Sequence, residues 1–268
     1  MSKRAASIPD VLRTCYDEQA EHFDQTRKKQ RPELPRIAAH VRTYLSWSSD
    51  WQTASEETPT LSVLDVGCGS GRLFEPLHIV LPTDTVYTGI DFAPGMIATA
   101  KKKYPEANRK VADMLEYITN LPQESVDLIV GVASIQHLFP ARDRQLFFSH
   151  IYRALKWRGL CLLTNRSYSS RFIRKSRLQQ LQASADSVFL AQRKRNDLLI
   201  SRKDPNYAQN KKKYERYYHL FTLRELKELS LLSGFVVEEL TYMQQDGTTG
   251  DDRKQARNSL LAIRKDIC

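Results

Sequence analysis

The chain has 268 residues, a formal net charge of +10 and a pI near 9.4. Its 41% apolar content suits one large α/β core with insertions, and no apolar run reaches the roughly 18 to 20 residues needed to cross a bilayer. Cysteines 15, 68, 161 and 268 lack CxxC spacing, which argues against a zinc site and a disulfide framework, and the basic N-terminus has no apolar stretch behind it.

The expected compartment is therefore the cytoplasm, with the nucleus open. From Pro9 to Leu45 the pattern is mainly helical. Tyr16, Ala20 and Phe23 recur at i, i+4 and i+7 and form one apolar stripe. Spacing alone favours core packing for Tyr16 and Phe23. A second helix is predicted over Pro35 to Leu45, then a polar loop over Ser46 to Thr60.

The centre of the sequence is Leu61 to Asp113. Leu61-Ser62-Val63-Leu64-Asp65-Val66 is an apolar run suited to a buried parallel strand, and it empties into Gly67-Cys68-Gly69-Ser70-Gly71. Alternate glycines allow a tight turn and let a ligand approach the bare backbone, with a helix start at Arg72-Leu73-Phe74-Glu75 behind them. A second strand, Val86 to Ile90, ends at Asp91, twenty positions after Gly71, where a carboxylate can accept from two ribose hydroxyls. Phe92 and Met96 can flank an adenine ring or fill core. A short third strand over Arg109 to Ala112 ends at Asp113-Met114. That acid suits an adenine amine or, equally well locally, a helix N-cap. No GK[ST] follows the glycines, which excludes a P-loop.

Ser125 to Val132 is the fourth strand. It runs into Ala133-Ser134-Ile135-Gln136-His137, so Val132 and His137 stand beyond a strand's carboxyl end, where ligands of open parallel sheets sit. Arg142 to Leu155 is an amphipathic helix, and a turn at Trp157-Arg158-Gly159 leads to a fifth strand, Leu160 to Thr164. From Arg166 to Arg216 there are fourteen Lys or Arg against four acids, an excess equal to the charge of the whole chain. That points to a polyanionic partner or, with equal weight on charge alone, to a solvated basic insertion. Ser176 to Ile200 has helical propensity, while Lys211 to His219 mixes cations with aromatics in a way that suits phosphate contact and base stacking. Thr222 is a candidate cap for a helix over Leu223 to Ser233 that stops at Gly234, and Phe235 to Leu240 and Ser259 to Lys265 read as closing strands.

Val63-Leu64-Asp65-Val66-Gly67-Cys68-Gly69-Ser70-Gly71 resembles motif I of the class I S-adenosylmethionine-dependent methyltransferases. Two flanking runs are similar to one subfamily, the tRNA methyltransferases that esterify 5-carboxymethyluridine at the wobble position. These are Tyr16-Asp17-Glu18-Gln19-Ala20-Glu21-His22-Phe23-Asp24-Gln25-Thr26-Arg27 and Arg216-Tyr217-Tyr218-His219-Leu220-Phe221. The chain departs from that subfamily at Gln136-His137, where a His-His pair is usual, and at Thr164-Asn165-Arg166 and Gln244-Gln245-Asp246, where tryptophans are usual.

The resemblance implies an α/β, Rossmann-like class I methyltransferase fold: a mostly parallel seven-stranded sheet, helices on both faces and an antiparallel final strand. It implies an N-terminal helical cap and linker (1–60), a cofactor-binding core (61–165), a basic insertion facing tRNA (166–218) and a C-terminal helix and closing hairpin (219–268). S-adenosylmethionine is then held by Tyr16, Asp65, Gly67, Cys68, Gly69, Gly71, Asp91, Phe92, Met96, Asp113, Met114 and Val132. Arg27, Arg216 and His219 hold the acceptor's carboxylate and phosphates, and His137 and Tyr218 orient it. A small adaptor subunit is a further possible partner, and no membrane is expected. A carboxylate acceptor is ionised at neutral pH and needs no general base. Two rivals stand beside this reading: a small-molecule O- or N-methyltransferase whose insertion is a lid, and an RNA-binding module that has lost catalysis.

Overall fold

The structure is a computed structural model that describes residues 7–26, 32–52, 60–168, 194–254 and 256–266. Strands β1 (Ser62–Val66), β2 (Val86–Asp91), β3 (Asn108–Val111), β4 (Val126–Val132) and β5 (Leu155–Arg166) pair in parallel in the order β3-β2-β1-β4-β5. Beyond β5 lie β10 (Asn258–Lys265), β8 (Phe235–Met243) and the two-residue β9 (Thr249–Gly250), each antiparallel to its neighbour. The expected sheet is present with one strand more: β9 pairs with the end of β8 and makes eight.

Both faces are covered, as a near-continuous apolar strand requires. Because side chains alternate along a strand, β1 sends Leu64 and Val66 to one core and Val63 to the other, and β10 divides Leu261 and Ile263 from Leu260 and Ala262. One face is packed by α6 (Met114–Thr119), α7 (Ala141–Ala154) and the late helix α9 (Leu223–Leu232) through Ile118, Phe147, Phe148, Ile151 and Leu226. The other is packed by α3 (Leu34–Gln52) and α4 (Phe74–His78) through Ile37, Val41, Tyr44 and Leu77.

Helix α3 extends seven residues past the expected Leu45, into the stretch expected as a loop, and residues 53–59 of that stretch lie outside the described residues. The Trp157 turn is a bulge inside β5, with Arg158 at φ +60°, while the register jumps between Val126 and Leu128 of β4. Thr222 caps α9, its hydroxyl accepting from the Glu225 N–H at 3.1 Å, and Gly234 follows at φ +93°.

The basic insertion is organised differently from the expectation. Residues 169–193 lie outside the described residues. Asp197–Lys203, partly placed in a helical stretch, is strand β6, and it pairs antiparallel with β7 (Lys213–His219) in a separate two-stranded sheet. A four-residue helix α8 (Tyr207–Asn210) joins them. Packing on both faces of β7 is the reason: Tyr214 is buried in one cluster and Tyr217 in another, with Arg216 buried between them, so neither ring is free to stack on bases. The hairpin, α1 (Ile8–Glu18) and α2 (Ala20–Thr26) together roof the carboxyl ends of the strands; α1 packs directly on β7. Lys212 and the Tyr214 hydroxyl both bond the Glu18 carboxylate, and Asp17 accepts from the Gly95 N–H at the start of α5 (Pro94–Lys103). No helix among the described residues is long and apolar enough to cross a membrane.

Candidate active site

Three left-handed glycines, Gly67 (φ +71°), Gly69 (φ +55°) and Gly71 (φ +80°), carry the chain from β1 into α4. A Cβ on Gly67 would stand 2.5 Å from Ser134 Cβ, so the bare backbone is what lets this loop pack on the end of β4. A Cβ on Gly69 would meet nothing within 4 Å, because that position faces open space. The loop is pinned to β2 by the N–H groups of Gly67 and Cys68, both donating to the Ile90 carbonyl at 2.9 Å.

Asp91 completes the cradle. Its Oδ2 accepts from the Gly69 N–H at 2.9 Å and its Oδ1 from the Ala93 N–H at 3.0 Å, which fixes the carboxylate while leaving each oxygen a further lone pair. Burial raises its pKa to about 6, against the opposing pull of the Ala93, Gly69 and Phe92 amides. Asp65, whose carboxylate accepts from the Tyr87 hydroxyl at 2.6 Å, is likewise raised by burial to about 6. At the next strand end stands Asp113, the helix N-cap that one of its two sequence readings gives. Its Oδ1 caps α6 by accepting from Leu115 and Glu116 at 2.9 and 3.1 Å, and the residue lines the cavity.

A single cavity brings these groups together. Of the residues expected to hold a cofactor, all except Gly71 line it: Tyr16, Asp65, Gly67, Cys68, Gly69, Asp91, Phe92, Met96, Asp113, Met114 and Val132. Gly71 shapes the turn instead, its N–H donating to the Cys68 carbonyl at 3.0 Å. The cavity is also lined by Phe23, Leu34, Arg72, Ser134 and Phe139, which sequence reasoning did not pick. The helical spacing of Phe23 favours core packing, and the ring does pack on Tyr16 with centroids 5.3 Å apart, but it lines the cavity as well. Cys68 is a buried thiol whose pKa is pushed well up by burial, which makes it inert at neutral pH.

The expected acceptor contacts are dispersed. His137 lines the cavity. Tyr218 stands beside it with ring centroids 5.0 Å apart, but it is not in the wall. Arg216 is behind the wall, its guanidinium 5.8, 5.4 and 5.5 Å from the ring centroids of Tyr16, Phe23 and Tyr218. It is 3% exposed, with Nε and one terminal nitrogen unsatisfied. His219 is not an acceptor contact. It is 2% exposed, Nδ1 is bonded to Asp197 at 2.6 Å and Nε2 to Glu225 at 2.8 Å, so both nitrogens serve the protein's own carboxylates. Arg27 lies outside the described residues.

Residues 63–159 match the family model described as a methyltransferase domain. The backbone is similar to those of solved methyltransferases. One is a SAM-dependent methyltransferase from Methanosarcina mazei (TM-score 0.58, 19% identity, 79% of this chain and 95% of that one). Another is magnesium protoporphyrin IX methyltransferase from Synechocystis with bound SAH (TM-score 0.56, 15% identity, 97% and 100%). The fold is the class I methyltransferase fold.

A curated relative, trans-aconitate 2-methyltransferase of Escherichia coli, is 35% identical over 98 residues, which is 37% of this chain and 36% of the relative. The chain thus spans about a third of the length of the curated relatives it matches. Within the methyltransferase fold the described site fits an adenosyl cofactor on its own geometry. Gly69 leaves a Cβ-sized opening over the loop, and anchored carboxylates stand at the tips of β2 and β3 around one cavity. Asp91 would take the ribose hydroxyls, Asp113 the adenine amine, and Phe92 and Met96 the ring faces.

Proposed function

We propose that the chain is an S-adenosylmethionine-dependent methyltransferase. The observation that carries this reading is the convergence of Gly69, Asp91 and Asp113 on one cavity, with bare backbone on one side and fixed acceptors on the other two. When bound, S-adenosylmethionine supplies an electrophilic methyl on a sulfonium. The protein's task is then to align an acceptor in line with that methyl and exclude water. Tyr16 of α1, Phe23 of α2, Ser134 and His137 line the cavity, and β7 packs behind them on α1.

The finer reading is methyl esterification of a carboxymethyl-type wobble uridine in tRNA. Its support is the Tyr16 to Arg27 and Arg216 to Phe221 runs, the basic excess between Arg166 and Arg216, and a buried cation, Arg216, that has no salt bridge among the described residues. From behind the wall, that guanidinium adds positive potential that favours an anionic acceptor in the cavity. Exposed Lys211 and Lys213 on the hairpin give RNA phosphates a foothold. A second reading, a small-molecule carboxyl methyltransferase, is favoured by the relative named for trans-aconitate, itself a carboxylate.

One experiment separates these. Labelled S-adenosylmethionine is incubated with the protein and total tRNA, and the RNA is then split between nucleoside mass analysis and mild alkali. The tRNA reading requires RNA-bound label, part of it released by alkali; the absence of label from RNA together with methylation of trans-aconitate would transfer the assignment to small acceptors. Failure to bind S-adenosylmethionine in calorimetry would remove the enzyme reading and leave the catalytically inactive RNA-binding module.

A further inference from the structure

A carboxylate acceptor brings no proton to the site, yet the cavity wall holds a hydrogen-bonded pair arranged to receive one. His137 Nδ1 lies 2.7 Å from the backbone carbonyl of Tyr217 and Nε2 lies 2.8 Å from the Tyr16 hydroxyl. A carbonyl oxygen can only accept, so the proton sits on Nδ1; in the neutral ring Nε2 is then a bare lone pair, and Tyr16 donates to it. Three elements fix this direction: α1 supplies Tyr16, the turn after β4 supplies His137, and β7 supplies the carbonyl.

The residue that carries this carbonyl is itself held through its side chain. Arg144, 2% exposed on α7, donates to the Leu138 carbonyl at 3.0 Å and to the Tyr217 hydroxyl at 3.1 Å, tying the residue after His137 to the strand that sets its tautomer. The titratable groups facing the pair are Tyr218 from β7, 5.0 Å from the His137 ring, and Arg216, also from β7, whose cation lies beside the Tyr16 ring and favours negative charge on its oxygen while a proton passes. Tyr16 and His137 both line the cavity.

We propose that Tyr16 and His137 form a proton relay at the transfer point, and that the enzyme therefore also methylates a protic acceptor, a hydroxyl or ring N–H. This rests on the methyl-transfer reading above and adds an acceptor class to it. In the step, the acceptor X–H bond breaks and its proton passes to the Tyr16 oxygen as the Tyr16 proton moves to His137 Nε2. The X electron pair forms the bond to the methyl carbon, and the S–CH3 bond breaks with its electrons left on sulfur. The products are the methylated acceptor, S-adenosylhomocysteine and an imidazolium at His137 that returns its proton to solvent. General-base help of this kind is worth on the order of 10²- to 10⁴-fold in rate.

The test has two arms, both on the full chain. The first is 15N NMR of histidine-labelled protein with S-adenosylhomocysteine at neutral pH. His137 is expected to carry its proton on Nδ1 with Nε2 bare, and Tyr16→Phe is expected to move the Nε2 resonance and spare Nδ1. A proton on Nε2, or an Nε2 resonance that ignores Tyr16→Phe, overturns the relay.

The second arm measures label from S-adenosylmethionine on total tRNA that survives mild alkali. His137→Gln, which keeps a hydrogen-bond acceptor for Tyr16 but takes up no proton, is expected to lower this label about 100-fold or more. It is also expected to flatten a wild-type rate that rises with pH, while cofactor affinity in calorimetry stays within about threefold. Label that is wholly alkali-labile, or a stable fraction indifferent to His137→Gln, overturns the proposal. If tRNA takes no label while cofactor binds, the tRNA reading has failed and the tautomer decides for or against the relay. If cofactor does not bind, methyl transfer has failed as a whole and this proposal goes with it.

Discussion

The carboxylate of Asp91 accepts from the backbone N–H of Gly69 at 2.9 Å, so the acid at the tip of β2 and the open glycine of the preceding loop move as one unit. Substituting Asp91→Asn keeps the volume but turns one acceptor into a donor facing the Gly69 or Ala93 amide. Two hydrogen bonds to a charged group are worth roughly 3 to 6 kcal/mol, so S-adenosylmethionine affinity is expected to fall on the order of 10²- to 10⁴-fold in calorimetry. An affinity within threefold of wild type would mean that the ribose is not bound there.

The same carboxylate sets a pH limit. Asp91 titrates at about 6 because burial disfavours its charged form, whereas a ligand hydroxyl donating to it favours that form and lowers the pKa in the complex. Affinity is therefore expected to be level above about pH 6 and to weaken as pH falls, by up to tenfold per unit, until the complex itself is protonated. Asp65 also titrates at about 6, but its carboxylate is bonded to Tyr87, so Asp91→Asn, not Asp65→Asn, is expected to flatten the profile. Binding titrations at four or five pH values decide this.

Two neighbouring glycines are expected to fail in opposite ways. Gly67→Ala drives a Cβ to 2.5 Å from Ser134 and strains a left-handed residue, a cost of about 2 to 4 kcal/mol visible as a lower urea midpoint. Gly69→Ala carries only the left-handed strain, about 1 to 2 kcal/mol, because its Cβ enters open space. That space is where the ligand approaches, so this variant is expected to fold and to lose cofactor binding. Equal stability losses with binding retained in Gly69→Ala would refute the cradle.

The parallel core and the cofactor side of the site were legible because each rests on a local pattern. A strand breaks into glycines, an acid ends the next strand, and Asp113 caps a helix at the cavity wall. The acceptor side was not legible. Tyr16 meets His137 across 121 residues, and no periodicity within either segment reports that distance. The Lys211 to His219 run misled for a physical reason. Both faces of β7 are packed, so a sequence that reads as evenly basic and aromatic hides Tyr214, Arg216 and Tyr217 and exposes Lys213. His219, two positions beyond a group that helps orient the site, is instead a structural imidazole.

That imidazole belongs to a buried charge network whose loss is expected to destabilise the hairpin and leave the cofactor cradle intact. Asp197 on β6 accepts from the Tyr217 hydroxyl at 2.7 Å and bonds His219 at 2.6 Å, and Arg144 lies 3.9 Å away. Burial alone would raise the Asp197 pKa, but the His219, Lys194 and Tyr217 hydrogen bonds outweigh it and hold the carboxyl below its usual value. A carboxylate with a depressed folded pKa adds stability that is fully present above its unfolded pKa, near 3.9, and is lost as pH falls through the folded value. Asp197→Asn leaves Arg144 without its most buried counter-charge, so a loss of about 3 kcal/mol at pH 7 is expected, with an unchanged urea m-value. Below about pH 4 the wild type is expected to lose this advantage and the two midpoints to converge. Because Asp197 is outside the cavity wall, cofactor affinity of the folded variant is expected to stay within about twofold; stability midpoints that keep a constant gap down to pH 3 would show that the carboxylate's charge is not what holds the hairpin.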